Sequence, residues 1–379
     1  AKGLQDEKKK LQDAIPTTLV WKELKEPRQA RVLIRGQYDN PGEEVSRSVP
    51  VFLPQMSDDL PRDRFGLARW LVTPGHPLTA RVAVNRFWQS IFGAGLVKSS
   101  EDFGSQGQPP SHAELLDWLA VDFVENGWDV KRLVKQMVTS EAYRRTAKIS
   151  ESNFAIDPAN VYFARGPRHR LDAEVLRDQA LALSGLLNPA SSGPSVKPPQ
   201  PSGLWYAVGY TRSNTANFKA DSEPEKQFRR SVYIFWKRTS SPPQMSTFDA
   251  PSRESCTARR ERTNTPMQAL LLMNEHQYLQ AAKHLAIRTL HEPDVDDPVD
   301  RIAWMFETVT ARRPQDGEVK ELENLLRSLR AHYATRSEEA SALLSVDEVQ
   351  SDGVEAADLA AWMMVGSTLL NLDEVVTKN

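Results

Sequence analysis

Residues 265–290, TPMQALLLMNEHQYLQAAKHLAIRTL, decide the fold. Thr265 offers a cap hydroxyl, Pro266 suits the first helical turn, where its missing N–H costs nothing, and Gln268 stands at the reciprocal capping-box position. This combination predicts a helix that starts at Pro266 and runs to about Leu290. Downstream, helices are expected from Pro298 to Val309, from Asp316 to His332 and from Ala356 to Leu370. Upstream, Leu171 to Leu186 repeats the helical period, and Asp129 caps a helix through Leu133, Val134, Met137 and Val138 to about Tyr143. Ser111-His112-Ala113-Glu114 reads as a capping box ahead of Leu115, Trp118, Leu119 and Phe123. Before it, a helical hairpin is joined by TPGHP, with Pro77 opening the second helix. Short strand-like runs occur at Thr18–Trp21 and Ala30–Arg35, and Gly3–Ala14 reads as a helix end broken by Pro16.

The fold class is therefore mainly α: a compact multi-helix body with one or two short β elements and a long ordered Pro-rich loop. Four regions are expected: 1–60, the end of an upstream region plus a small β element; 61–186, an N-terminal helical half; 187–264, a loop region rich in Pro, aromatics and Arg; and 265–379, a C-terminal helical half. Between Leu187 and Ser252 lie nine of the chain's 25 prolines, with Trp205, Tyr206, Tyr210 and Phe218. So long an irregular stretch inside a compact body is either functional or disordered. Fixed-φ prolines and aromatics lower the entropy lost on folding, so order is expected, with one strand at Arg229–Lys237, RRSVYIFWK.

With 379 residues, 40% hydrophobic and 26% charged, at a formal charge of −2, the chain can build a large core. The composition excludes a disordered chain and a strongly basic nucleic-acid binder. The longest clean apolar run, Leu359–Val365, is far too short to span a membrane. A single cysteine, Cys256, excludes an internal disulfide framework and any CxxCH haem attachment within these residues. The opening Ala1-Lys2-Gly3 lacks an apolar leader and reads as the downstream part of a longer polypeptide.

Chemistry concentrates just before the helix at Pro266. Arg253, Arg259, Arg260 and Arg262 lie within ten residues. Guanidinium groups bind carboxylate, sulfate or phosphate bidentately, so an anion site is one reading. The other is that these arginines hold the loop down by bonding backbone carbonyls and Asp249 or Glu254. Arg81 and Asn85 stand one turn apart on the Pro77 helix, with Arg86 beside them, and join the candidates as ligand contacts or as structural bonds. Trp205, in GLWYAVGY, offers a sugar-stacking ring or core filling. Cys256 reads as a small packing residue more than as a nucleophile. The seven histidines give no HExxH, and His276 and His284 stand eight apart, so no metal site is expected. Phosphate-binding glycine loops and GxSxG are missing.

The blocks PLTARVAVNRFWQSIFGAGLV, HAELLDWLAVDFVENGWDVKRLVKQMVTSEAYR, RLDAEVLRDQALALSGLL, RRSVYIFWKRT and FDAPSRESCTARRERTNTPMQALLLMN together resemble the planctomycete-type domain of unknown function 1553. The resemblance runs from about Thr17 to the terminal LLNLDEVV. It implies the C-terminal portion of a large exported protein, periplasmic or beyond, whose other portions often include a cytochrome c-like haem module. Any haem then belongs to an upstream domain, and this chain carries no cofactor of its own. The partners it implies are that domain or a partner protein; the arginines Arg253, Arg259, Arg260 and Arg262 add an anionic polysaccharide as a candidate, and nucleic acid is not among them. The family supplies no catalytic residues, so two functions compete. One is a non-catalytic scaffold or binding module. The other is an enzyme of polysaccharide or redox metabolism, with its site between the Pro-rich loop and the Pro77 helix.

Overall fold

The computed structural model describes residues 2–15, 17–208, 217–293, 295–349 and 353–378. The expected Tyr210 aromatic and the Pro16 helix break lie outside them. The chain divides into two compact units, residues 1–83 with 117–128, and residues 84–116 with 129–379.

The first unit begins with helix α1, Lys2–Ala14, and a two-stranded antiparallel ribbon, β1 (Ala30–Leu33) and β2 (Pro41–Val45), in which Ala30 faces Val45. Thr18–Trp21 forms no strand, and β1 stops at Leu33 because the chain turns through Arg35 and Gly36 at positive φ. Val49, Met56 and Trp70 form a small buried cluster, and the Trp70 indole donates to the Pro54 carbonyl at 2.7 Å. Asp63 caps helix α2, Arg64–Leu71, by accepting the Gly66 amide. Gly66 is required, since a Cβ there would stand 1.8 Å from the Pro61 carbonyl oxygen. Helix α3, Thr79–Phe92, starts where the His76 Nδ1 accepts the amides of Leu78 and Thr79. An imidazole thus does what Ser or Asp usually does at a helix start.

Helix α4, Ala113–Glu125, begins two residues after Ser111, whose hydroxyl bonds the His112 ring instead of closing the expected box. Asp129 does cap helix α5, Val130–Thr139, accepting from the Arg132 amide. Helix α6 covers Ala173–Ser184 and ends at Gly185 in the left-handed conformation.

The predicted helix 266–290 is two helices, α7 (Pro266–Asn274) and α8 (His276–Leu290). Glu275 leaves helical geometry, and its carboxylate accepts the amides of Gln277 and Tyr278, restarting the helix on a new axis. Thr265 occupies the cap position of α7 but makes no side-chain cap bond. Gln268 is buried, and its amide reaches the Thr247 carbonyl and the Thr263 hydroxyl, anchoring the preceding loop instead. Helices α9 (Pro298–Thr310), α10 (Asp316–Ala334) and α12 (Ala356–Leu370), close to the expected bounds, complete the second unit together with α11 (Ser337–Leu344), which the sequence reading did not include.

The core of this unit is built on α8 and α12. Ten residues of α12 are buried on all sides, as a central helix requires. Close approach depends on small residues: Ala281, Ala282, Ala286, Ala360 and Ala361 are sealed, and a Cβ on Gly366 would press within 3.3 Å of the Ala282 carbonyl. The chain's end returns as strand β4, Thr377–Lys378, beside β3, His169–Arg170. Two small sheets among many helices make the fold mainly α, as expected. No helix of the described residues is long and apolar enough to cross a membrane.

The Pro-rich segment 187–264 contains no strand of length among its described residues. Arg229–Lys237 is a single 3₁₀ turn, Ser231–Tyr233, with isolated bridges at Asn188–Arg229 and Val196–Ile234. Side chains take the ladder's place. The Arg177 side chain, 1% exposed, donates to the carbonyls of Gln227 (2.6 Å) and Arg229 (2.9 Å), to Gln277 Oε1 (2.8 Å) and to Ser231 Oγ (3.1 Å). Arg229 holds the carbonyls of Ala190, Ser192 and Pro194 and stacks 3.9 Å over the Tyr233 ring. Buried carbonyls outside regular structure need donors, and a guanidinium supplies five in a rigid fork.

Candidate functional site

The arginine cluster sits against the C-terminal end of α3. Gly93 ends that helix at φ 86, and a Cβ there would meet the His169 ring at 2.8 Å. Arg262 donates to the Gly93 carbonyl at 3.0 Å and lies 3.5 Å from Asp172 Oδ1. Arg260 forms a two-pronged pair with Glu174, at 2.6 and 3.1 Å, in the first turn of α6. Carboxylates at a helix start are favoured by the helix dipole, so Asp172 and Glu174 are well placed to hold these cations. Burial pushes the Glu174 carboxyl up, but the Arg260 bonds outweigh it and leave its pKa below the ordinary value. Arg253, itself at φ 64, lies flat 4.3 Å over Trp236 and 3.9 Å from Glu174. Asp249, at φ 60, accepts the Thr263 amide at 2.7 Å and the Thr263 hydroxyl, closing the base of the loop. The loop is thereby laced from α3 to α6.

Between loop and helix lies an open cavity of about 430 Å³. Arg86, Gln89, Ser90 and Gly93, at helical spacing, form its α3 wall, and Thr257–Arg262 with Asp172 the other. Four arginines stand against Asp172 and Glu261 in the lining, and Glu174 neutralises Arg260 from beside it, which leaves one positive charge in excess. Arg260 and Arg262 are committed to the protein. Arg259, with 54% of its side chain exposed, has only a 3.8 Å approach to Glu101, and Arg86 is exposed with no partner among the described residues. A solvent-exposed pair of that length contributes little, so both guanidiniums are available.

The other predicted positions lie elsewhere. Asn85 is fully buried, and its amide is consumed by Val97 and Ser100, pinning the turn after α3. Arg81 pairs with Asp117 at 2.6 Å and the Pro77 carbonyl at 2.7 Å. Trp205 is buried against Phe218 and Phe235 beneath Lys197 and Lys237, so its ring fills space. Cys256 is exposed on the loop. None of His112, His169, Asp249 and Cys256 lines the cavity. Among the described residues no three His, Cys, Asp or Glu side chains gather as a metal site needs. Sequence reasoning missed Gln89, Ser90 and Glu174. The i, i+3, i+4, i+7 stripe from Arg86 to Gly93 was the available signal for the helix wall.

His169 carries a testable electrostatic consequence. Burial, and secondarily the Arg262 charge, hold its pKa down to about 4. The folded protein then keeps the imidazole neutral where the unfolded chain protonates it. Stability must fall as pH drops from about 6.5 to about 4, by about 2 kcal/mol after allowing for partial exposure. Urea unfolding across that window checks this, and His169→Gln should flatten the profile.

A mainly α body whose irregular segment is held by arginine side chains, with a cationic cleft at its surface, defines the class. The chain belongs to the family described as PSD1, protein of unknown function (DUF1553), whose model matches residues 63–326 and so spans the whole cleft. No curated protein and no solved structure matches the chain.

Proposed function

We propose that this chain is a non-catalytic binding module that takes an anionic ligand in the cleft between α3 and the 257–262 loop. One observation carries the reading: Arg86 lines the cavity without a partner among the described residues and Arg259 has only a long, exposed approach to Glu101, while Arg260 and Arg262 are held by Glu174 and the Gly93 carbonyl. The committed pairs fix the walls, so the ordering cost of binding falls mainly on the Arg86 and Arg259 side chains. The family resemblance extends the proposal: the module works beside a haem-bearing or partner domain of a larger exported protein, and the anion is carried by that partner or by a polysaccharide.

Calorimetry with dextran sulfate tests this. Binding should weaken at least about tenfold between low and physiological salt, as expected for exposed charges. Arg86→Gln with Arg259→Gln should remove most of it, and neutral dextran should not bind. Equal binding by the double variant would place the anion elsewhere.

A further inference from the structure

The cleft is not uniformly basic, and its acidic groups narrow the ligand. On the premise that the cleft binds an anion, we propose that its ligand is an acidic saccharide bearing two anionic groups on neighbouring sugar residues. Arg86 reads one charge from the helix wall, Arg259 reads the other from the loop wall, and Asp172 and Glu261 accept the sugar hydroxyls.

Glu261 is exposed, lines the cavity and has no partner among the described residues. A carboxylate in that position repels a simple anion. It is an asset only where the ligand brings hydrogen-bond donors along with its negative charge. Asp172 keeps acceptor capacity as well, since its contacts to Arg262 and Arg260 are long, 3.5 and 3.7 Å. Ser90, whose hydroxyl proton goes to the Phe87 carbonyl at 2.8 Å, presents its oxygen as an acceptor, and Thr257 adds a hydroxyl that can do either. Donors and acceptors alternating around a cavity complement a ring that carries a hydroxyl at most of its carbons.

The two-charge requirement follows from where the free cations stand. They line one cavity from different elements, Arg86 on α3 and Arg259 on the loop, so two anionic groups on one ligand can each meet one of them. A cavity of about 430 Å³ falls in the range that encloses a ligand of two rings. No aromatic ring lines it. Stacking of bases, on which single-stranded nucleic acid depends, has no platform there. An acidic peptide is the competing occupant.

Calorimetry on the full chain distinguishes these, with four probes: a disaccharide carrying an anionic group on each residue, its counterpart with one, inorganic sulfate, and poly-glutamate. The dianionic disaccharide should bind at least about tenfold more tightly than the monoanionic one, the worth of one added charged contact. Arg86→Gln and Arg259→Gln should each erase that ratio. Glu261→Ala, which removes the acceptor oxygens, should weaken the disaccharide but leave sulfate unchanged or stronger, which a purely electrostatic cleft would not do. All three positions are exposed, and an unchanged thermal midpoint confirms folding. Equal affinity for the two disaccharides overturns the two-charge requirement and leaves anion binding standing. Binding of poly-glutamate without binding of either saccharide overturns the saccharide assignment alone. Failure of every anion overturns the function proposed above.

Discussion

Replacing Arg177 by methionine is expected to destabilise the second unit by about 3–5 kcal/mol, the cost of stripping one side from a buried charged network. Methionine fills much of the volume but donates nothing. The carbonyls of Gln227 and Arg229 and the Gln277 amide oxygen would each lose a donor at 2.6–2.9 Å in a site closed to water. The Gln227 carbonyl keeps the Gln277 amide at 3.2 Å, but the Arg229 carbonyl and Gln277 Oε1 lose their donor, and each buried acceptor left unmade costs about 1–3 kcal/mol. Arg177→Lys is expected to recover less than half, because one ammonium on a flexible stem cannot serve acceptors arranged around a planar fork. Urea unfolding measures both variants. A loss under about 1 kcal/mol for methionine would mean that the segment is held by other contacts.

The second large effect is expected at Lys283, on α8. Its side chain is 2% exposed, and its three protons go to the Leu344 carbonyl, the Asp347 carbonyl and Asp347 Oδ1. It therefore ends α11 and fixes the chain that follows. Asp347 accepts from His284 at 3.1 Å through its other oxygen and from the Val349 amide at 3.0 Å. Burial drives the Asp347 pKa up, but the His284 and Lys283 bonds outweigh it and leave it below the ordinary aspartate value. A carboxyl lowered in this way stabilises above its unfolded pKa, and the benefit is lost as pH falls through the folded one. Lys283→Met should cost about 3 kcal/mol by leaving Asp347 with His284 as its one remaining side-chain partner and the Leu344 and Asp347 carbonyls without the ammonium donor. Adding Asp347→Leu should return much of that loss, since a buried pair removed whole costs far less than a pair broken. Additive losses in the double variant would show that the two residues are not coupled.

Most helices were legible in the sequence because their signals are local. Asp129 stands next to the helix it caps, and α9, α10 and α12 follow from apolar spacing and Pro298. The break at Glu275 was not legible: Asn-Glu-His continues a helical pattern acceptably, and only the carboxylate's turn onto Gln277 and Tyr278 ends it. RRSVYIFWK has strand composition, yet propensity is overruled because Arg177 and Asp178 take the backbone groups of Arg229 and Ser231 that a ladder would use. Arg177 meets Gln277 across 100 residues of sequence, and no local pattern marks such a pair. The cleft divides the same way. The arginines announced themselves by density, whereas Glu174, 86 residues from Arg260, gave no sign of being its partner.

Buried arginines, in place of a sheet, hold the described stretches of the 187–264 segment between its short helices as a platform for the cleft. Native-state hydrogen exchange tests this most directly, read at the amides of Ser231, bonded to Asp178 at 2.7 Å, and Phe235, bonded to the Val196 carbonyl at 2.7 Å. Both should open with free energies of several kcal/mol, approaching those of α12, and Arg177→Met should release them while α12 stays protected. Exchange of both amides in the unmodified protein at the rate of an unfolded chain would contradict the account.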